Sequence, residues 1–251
     1  MRGERVHPRP LPGEDDCGPP LRNAPACGTG IGMDYLRTIA IYDLDRTLTR
    51  RATYTPFLLF IARHIAPWRL LLLPVWVGMM IGHKLGLYGR AGLKQAGFAL
   101  FVGKPADPRL PPLITAFAKR TAAALYPGAQ RKWAADGEAG AMRIIATAAL
   151  ELYADAIAEQ LHADALIATP MDAAGKLIEG NVFGDGKYQR VLDWFAASGF
   201  DRADCHILFY SDHVSDAPLL DWADEGVLVN AAAKGCRLAD LRGWRVVDFT
   251  R

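Results

Sequence analysis

A chain of 251 residues, 51% apolar and 22% charged, has room for one sizeable core, or a core with a small second domain, and is neither fibrous nor disordered in composition. The net charge of +2 hides a lopsided distribution. No Asp or Glu stands between Asp45 and Asp107, where Arg46, Arg50, Arg51, Arg63, Arg69, Lys84, Arg90, Lys94 and Lys104 contribute +9, which leaves −7 elsewhere.

These basic residues alternate with long aliphatic runs, not with polar or stacking side chains, which argues against nucleic acid as a partner. The four cysteines form no CxxC and no Cys/His cluster. Free thiols in a reducing, cytoplasmic setting are expected, and neither zinc nor a disulfide framework.

In chain order, residues 1–32 are rich in Arg, Pro, Gly and acid and lack an apolar h-region. They read as a disordered leader and not as a signal peptide. Met33, followed at once by strand-like sequence, is a candidate translation start. Thr38–Tyr42 (TIAIY) is a short apolar run, read as a buried parallel strand, and it runs into Asp43. The acid-free stretch follows from about Tyr54 to Lys104, its apolar runs broken by Pro56, Pro67 and Pro74. Leu110–Tyr126 reads as a helix and Pro127–Ala139 as a helix returning to the core.

An α/β rhythm then resumes. Strands are expected at Arg143–Ala146, Ala165–Ala168, His206–Tyr210 and Gly226–Val229. Helices are expected at Leu150–Leu161, Lys187–Ala197, Ser215–Trp222 and Gly235–Leu241, with a hairpin at Asp172–Phe183. Alternation of this kind predicts an α/β fold with a Rossmann-like parallel sheet, helices on both faces, and ligands at the carboxyl ends of the strands. The expected division is a core of residues 33–52 and 127–251 with a helical, apolar and basic cap of residues 53–126.

The polar residues at those strand ends are the candidates for chemistry. Asp43 and Asp45, in DLDRTL directly after the first strand, suit either a simple turn or a carboxylate that attacks phosphorus. Thr147 ends RIIAT and would mean nothing alone. Lys187 follows a Gly-rich turn and opens an amphipathic helix. Lys176 competes with it for the same role. Asp212 and Asp216, in SDHVSD, are two acids four residues apart with small or polar residues between them, which suits Mg²⁺.

In this order, and across nearly all of residues 38–230, these motifs resemble the DxDxT, Ser/Thr, Lys and SDxxxD signatures of haloacid dehalogenase-type phosphatases. The resemblance implies that Asp43 attacks phosphorus, that Asp45 acts as general acid and then base, and that Thr147 and Lys187 bind phosphate. It also implies a Mg²⁺ ion held by Asp43, the backbone carbonyl of Asp45 and Asp212, with Asp216 binding a metal-bound water or steadying Lys187. Arg46 departs from the family, which usually has Gly there.

The helical cap of the family lies between the first two motifs, here in the acid-free insertion. Leu70–Gly82 (LLLLPVWVGMMIG) is shorter than the roughly 20 residues a spanning helix needs. A hairpin dipping into one leaflet fits it, with Trp68 and Trp76 at the interface and flanking Arg and Lys drawn to anionic lipid. A buried hairpin in a soluble enzyme is the other reading.

YDLDRTLT, RRATYTPFLLFIA, IIATAAL, GNVFGDGK and YSDHVSDAPLL together resemble a branch, subclass IB, that includes bacterial phosphatidylglycerophosphatase C. That branch implies a phosphorylated lipid such as phosphatidylglycerophosphate as substrate, at the inner face of a membrane. A soluble phosphatase for a small phosphomonoester is one alternative. Phosphoserine is disfavoured because its ammonium calls for a carboxylate in the cap, and none stands between Asp45 and Asp107. A non-enzymatic membrane-binding protein on the same fold is the other alternative.

Overall fold

In the computed structural model, residues 37–172, 174–178 and 182–251 are described. The expectations for the leader, for Met33 and for part of the 172–183 hairpin lie outside them. Of that hairpin, the described residues keep one antiparallel bridge, Met171 to Leu177.

The sheet grows from β1 (Arg37–Tyr42), whose last four residues are buried. β2 (Met142–Leu150), β3 (Ala165–Thr169), β4 (Cys205–Ser211), β5 (Glu225–Val229) and β6 (Arg245–Val247) complete it. The order is β3-β2-β1-β4-β5-β6 and every pairing is parallel. The expected α/β class with a Rossmann-like parallel sheet is met. Strand order reverses at β1, so the carboxyl ends of β1, β2 and β4 open onto a crevice where such sheets bind ligands.

The period of two in β1 decides which helices each face meets. Ala40 and Tyr42 point into one apolar cluster, and Ile39 and Ile41 into the other. The second cluster is closed by α7 (Asp185–Ser198), α8 (Ala217–Trp222) and α9 (Ala233–Arg242), through Val191, Leu219 and Ala239. The first cluster takes α5 (Pro127–Glu138) and α6 (Glu151–Gln160). It also takes the insertion between β1 and β2, which comprises α1 (Tyr54–Ile65), α2 (Leu73–Lys84), α3 (Arg90–Phe101) and α4 (Leu110–Ala122).

Phe57 of α1 stacks on Tyr153 of α6 at 4.4 Å and meets Phe117 of α4 edge-on at 5.3 Å. Each such contact contributes about 0.5–1.5 kcal/mol beyond the area it buries. One continuous core therefore joins the inserted helices to the sheet.

The breaks expected at Pro67 and Pro74 are element boundaries, and two other local expectations change. Pro67 opens a 3₁₀ turn, Pro67–Leu72, and Pro74 sits in the first turn of α2. A missing N–H costs nothing there, because those amides have no intrahelical acceptor. Trp76 does not face an interface. It is buried, edge-on to Tyr54 and to Phe101 at 6.2 Å each, because Gly97 of α3 leaves room for its ring. Trp68 is 62% exposed, and Leu71, Leu85 and Leu87 of the same insertion are exposed as well. Finally, the start expected for the helix at Ser215 is a 3₁₀ turn, Val214–Asp216, ahead of α8. Among the described residues, no helix is long and apolar enough to cross a membrane.

Candidate active site

Asp43 leaves the end of β1 with its backbone N–H still in the ladder, donating to the Tyr210 carbonyl at 2.9 Å. Its carboxylate is thus fixed at the mouth of the crevice. The chain then turns tightly, and the Thr49 N–H closes on the Leu44 carbonyl at 2.9 Å. Arg46 adopts φ +64° at this turn. That left-handed backbone explains why glycine suits the position and why Arg46 is strained there by about 1–2 kcal/mol. The Arg46 side chain is exposed.

Lys187 arrives from the opposite side of the site. α7 begins after Gly184, whose φ of 56° and ψ of −125° are open to glycine and costly for other residues. This sharp turn aims the first turn of α7 at β1. Lys187 Nζ donates to Asp43 Oδ1 at 2.9 Å and to Asp216 Oδ2 at 2.6 Å, and all three side chains are buried. Ser211, at the end of β4, donates to the same Asp216 oxygen at 2.8 Å. Lys176 is exposed, and it is Lys187 that reaches Asp43.

Asp45 turns toward the insertion. Its Oδ1 accepts from the backbone N–H of Thr53 at 2.8 Å and from the Thr53 hydroxyl at 2.7 Å. Thr53 Oγ1 lies 3.0 Å from the Tyr153 hydroxyl. Thr147 sits where the pairing of β2 with β3 slips register after Ala146. Its hydroxyl accepts from the Ala149 N–H at 3.0 Å, which leaves the hydroxyl proton for a ligand. Asp212 follows β4, its backbone N–H bonded to Thr47 Oγ1 at 2.8 Å, and that bond ties the two loops together. The structure therefore brings Asp43, Lys187 and Asp216 into contact. Asp45, Thr147 and Asp212 lie at the same strand ends, and none is hydrogen-bonded to that trio.

Electrostatically the site is short of positive charge. Burial pushes the Asp43 carboxyl up to about 7, Asp216 adds to the rise, and Lys187 only partly offsets it. Burial also raises Asp45, against the two Thr53 hydrogen bonds, and raises Asp212, against His213, Arg46 and Lys187. Burial alone would lower Lys187, but Asp43 and Asp216 hold it above the usual lysine range. Asp216 Oδ1 is buried with no hydrogen-bond partner.

The orphaned Asp216 oxygen, with Asp43 joined to it through Lys187 and the half-buried Asp45 and Asp212 at the same strand ends, is a donor set whose chemistry suits a small hard cation. Among the described residues, no group of three His, Cys, Asp or Glu side chains gathers as a metal cage. Mg²⁺ commonly takes one or two carboxylates and completes its shell with water and phosphate.

Several participants escaped sequence reasoning. Thr53 was visible only as part of RRATYT, and Ser211 only as the first residue of SDHVSD. Lys94 was counted as charge alone. Its Nζ donates to the Ala148 carbonyl, beside Thr147. Burial pushes its amine down to about 8, although Asp45 pulls it back up.

The model of the haloacid dehalogenase-like hydrolase family matches residues 40–221. A probable phosphatase of Mycobacterium tuberculosis is 30% identical over 112 residues, which is 43% of this chain and 38% of that one. The chain thus spans about two fifths of the length of the curated relatives it matches. A solved protein of unknown function from Bordetella pertussis superposes with a TM-score of 0.77 at 25% identity, over 85% of this chain and 99% of that one. A probable phosphoserine phosphatase from Vibrio cholerae shares the fold, with a TM-score of 0.62 at 15% identity, over 85% and 62% of the two chains.

Proposed function

The chain belongs to the haloacid dehalogenase-like hydrolases, and from that membership we propose that it is a magnesium-dependent phosphatase that hydrolyses a phosphomonoester through an aspartyl-phosphate. The observation that carries the reading is the buried bridge from Lys187 to both Asp43 and Asp216 at the carboxyl ends of the strands.

A phosphoryl group needs an in-line nucleophile and a counter-charge for its equatorial oxygens. An Asp43 oxygen forms a bond to phosphorus as the ester P–O bond breaks. Asp45, whose burial favours its protonated form, gives its proton to the departing alkoxide. The resulting Asp45 carboxylate then takes a proton from a water that attacks the same phosphorus, and Asp43 is released. Lys187 offsets the charge on Asp43 and phosphate, and the Thr147 hydroxyl donates to a phosphate oxygen. Held by Asp43, Asp212, the Asp45 carbonyl and, directly or through water, Asp216, Mg²⁺ would supply the remaining positive charge.

For the substrate, we favour a membrane phospholipid carrying a terminal phosphate, with phosphatidylglycerophosphate as the best single compound, met at an anionic inner membrane face. Support comes from the exposed Trp68, Leu71, Leu85 and Leu87, all in the stretch between Asp45 and Asp107 that holds no acid. Exposed large apolar side chains concentrated in one segment point to an interaction surface. A phosphoserine-type substrate, as in the name of the Vibrio cholerae neighbour, would find no carboxylate for its ammonium between Asp45 and Asp107.

The test is phosphate release from phosphatidylglycerophosphate in mixed micelles, with and without Mg²⁺, by wild type and Asp43→Asn. Mg²⁺-dependent release that the substitution abolishes is expected. Release from an aryl phosphate but not from the lipid would keep the chemistry and overturn the lipid. Release that survives Asp43→Asn would overturn the chemistry.

A further inference from the structure

We propose that the groove between α1 and α4 is a second anion site, separate from the active site, that takes the phosphate of an amphiphile whose apolar part lies along the groove floor.

The groove has a volume of about 560 Å³ and is walled by residues 49–53 and by one face each of α1 and α4. Arg50, Arg51, Arg63 and Arg120 line it, and no acidic residue does. Its floor is apolar, with Leu59 and Phe60 from α1 and Phe117 from α4. None of Asp43, Lys187, Thr147 or Asp212 belongs to the lining, so this is not the phosphomonoester site.

The state of the arginines argues for a ligand. Elsewhere Arg109, Arg202, Arg242 and Arg245 pair with carboxylates at 2.5–2.9 Å. Among the described residues, none of the groove arginines is paired with a carboxylate. Arg50 is steadied only through Nε, which donates to the Leu125 carbonyl at 3.4 Å.

Four like charges around one concavity repel one another unless an anion sits among them. Guanidinium is the group best shaped to grip a phosphate, because its donors form a planar fork and it is weakly hydrated. A free inorganic anion would leave the aromatic and aliphatic floor wet. A phosphate diester with short apolar chains covers both surfaces.

Position gives the second argument. α1 has twelve residues and so rises about 18 Å. At one end the groove reaches Thr53, which holds Asp45. At the other it reaches Arg63, two residues before α1 ends and just ahead of the turn that carries the exposed Trp68 and Leu71. The groove therefore runs from the exposed apolar surface toward the acid–base residue, along the path a lipid headgroup at that surface would follow.

The test uses the full chain and dihexanoyl phosphatidylglycerol, titrated calorimetrically below its micelle concentration. This phosphodiester has no terminal phosphate to hydrolyse; because it would also be the product of the proposed reaction, loss of binding in a groove variant, and not binding by wild type alone, reports on the groove. Binding is expected to weaken as salt rises, and to weaken at least tenfold in Arg51→Gln/Arg120→Gln. Both positions are solvent-exposed, and circular dichroism melting checks the fold of the variant. Displacement of the lipid by millimolar inorganic phosphate would assign the site to soluble phosphates as well as headgroups. Failure of phosphate to compete would assign it to lipid. No binding to wild type, or equal binding to the double variant, would overturn the proposal.

Discussion

At the scale of single residues, the proposed mechanism asks opposite tasks of neighbouring carboxyls. In it Asp43 is ionised when it attacks, and of Asp43 and Asp45 it is Asp43 that Lys187 touches. There Asp45 carries a proton, and its carboxyl accepts hydrogen bonds from the Thr53 N–H and hydroxyl. The Thr53 bonds favour ionised Asp45, so Thr53 limits how far burial raises that carboxyl. Thr53→Val removes the hydroxyl bond and keeps the N–H bond. The pKa of Asp45 then rises, and the proton needed by the leaving group is retained to higher pH. The alkaline limb of kcat/KM for an aryl phosphate should therefore move up by about one pH unit, equivalent to about 1.4 kcal/mol. A pH profile identical to wild type would show that Thr53 does not act through Asp45. The Asp43–Lys187–Asp216 contact was legible as residue types at strand ends, because each follows a β-strand or opens a helix. The Thr53–Asp45 contact was not, since it joins a turn to the first residue ahead of α1 and no periodicity marks it.

At the scale of elements, the insertion shows how a helix can be apolar all round without being a core helix. α2 buries only Trp76 and Gly82, and leaves Leu73, Val75, Val77 and Ile81 exposed. It is anchored by a close approach to α3. A Cβ at Gly97 would stand 2.8 Å from the Trp76 ring and 2.9 Å from Leu58. Gly92, in the same helix, has nothing within 4 Å of the equivalent point. The two glycines should respond to alanine with opposite signs. Gly92→Ala gains helix propensity and stabilises by up to about 1 kcal/mol. Gly97→Ala gains the same propensity but overpacks the Trp76 contact, at a cost of about 1–3 kcal/mol. Urea midpoints for the pair, read against wild type, check this; equal shifts would mean that α2 and α3 are not held together at Gly97. Sequence reading saw the apolar run but put Trp76 at its surface. Helical phase cannot show which side of an all-apolar helix meets a neighbour, and the glycine that makes the room lies 21 residues downstream.

At the scale of the whole molecule, most of the sheet was readable because β1, β2, β3, β4 and β5 are short apolar runs separated by helices of ordinary length. β6 went unseen: Arg245–Val247 is an edge strand of three residues with two of them exposed, too short for alternation to show. Where the sheet meets the helices, the core holds the buried phenols of Tyr42, Tyr153 and Tyr210, with Tyr54 half-buried, and their titration is a property of the whole fold. Tyr42 donates to Asp136 and stacks on Tyr210 at 4.4 Å. Burial, and then the bond to Asp136, raise Tyr42 far above the ordinary tyrosine range. Burial likewise raises Tyr54, Tyr153 and Tyr210. In the unfolded chain these phenols ionise near 10. Above that pH the unfolded state loses protons that the folded state keeps, so stability is intact below pH 10 and falls as pH rises beyond it. Each such tyrosine contributes a slope of about 1.4 kcal/mol per pH unit. Urea midpoints measured from pH 8 to 11.5 should be level at first and then drop steeply. Tyr42→Phe should make the drop shallower by one tyrosine's share, even though the variant starts less stable for want of its bond to Asp136. A level midpoint through pH 11.5 would mean that these phenols ionise inside the folded protein, and that the shared core of sheet and insertion is looser than its ring contacts describe.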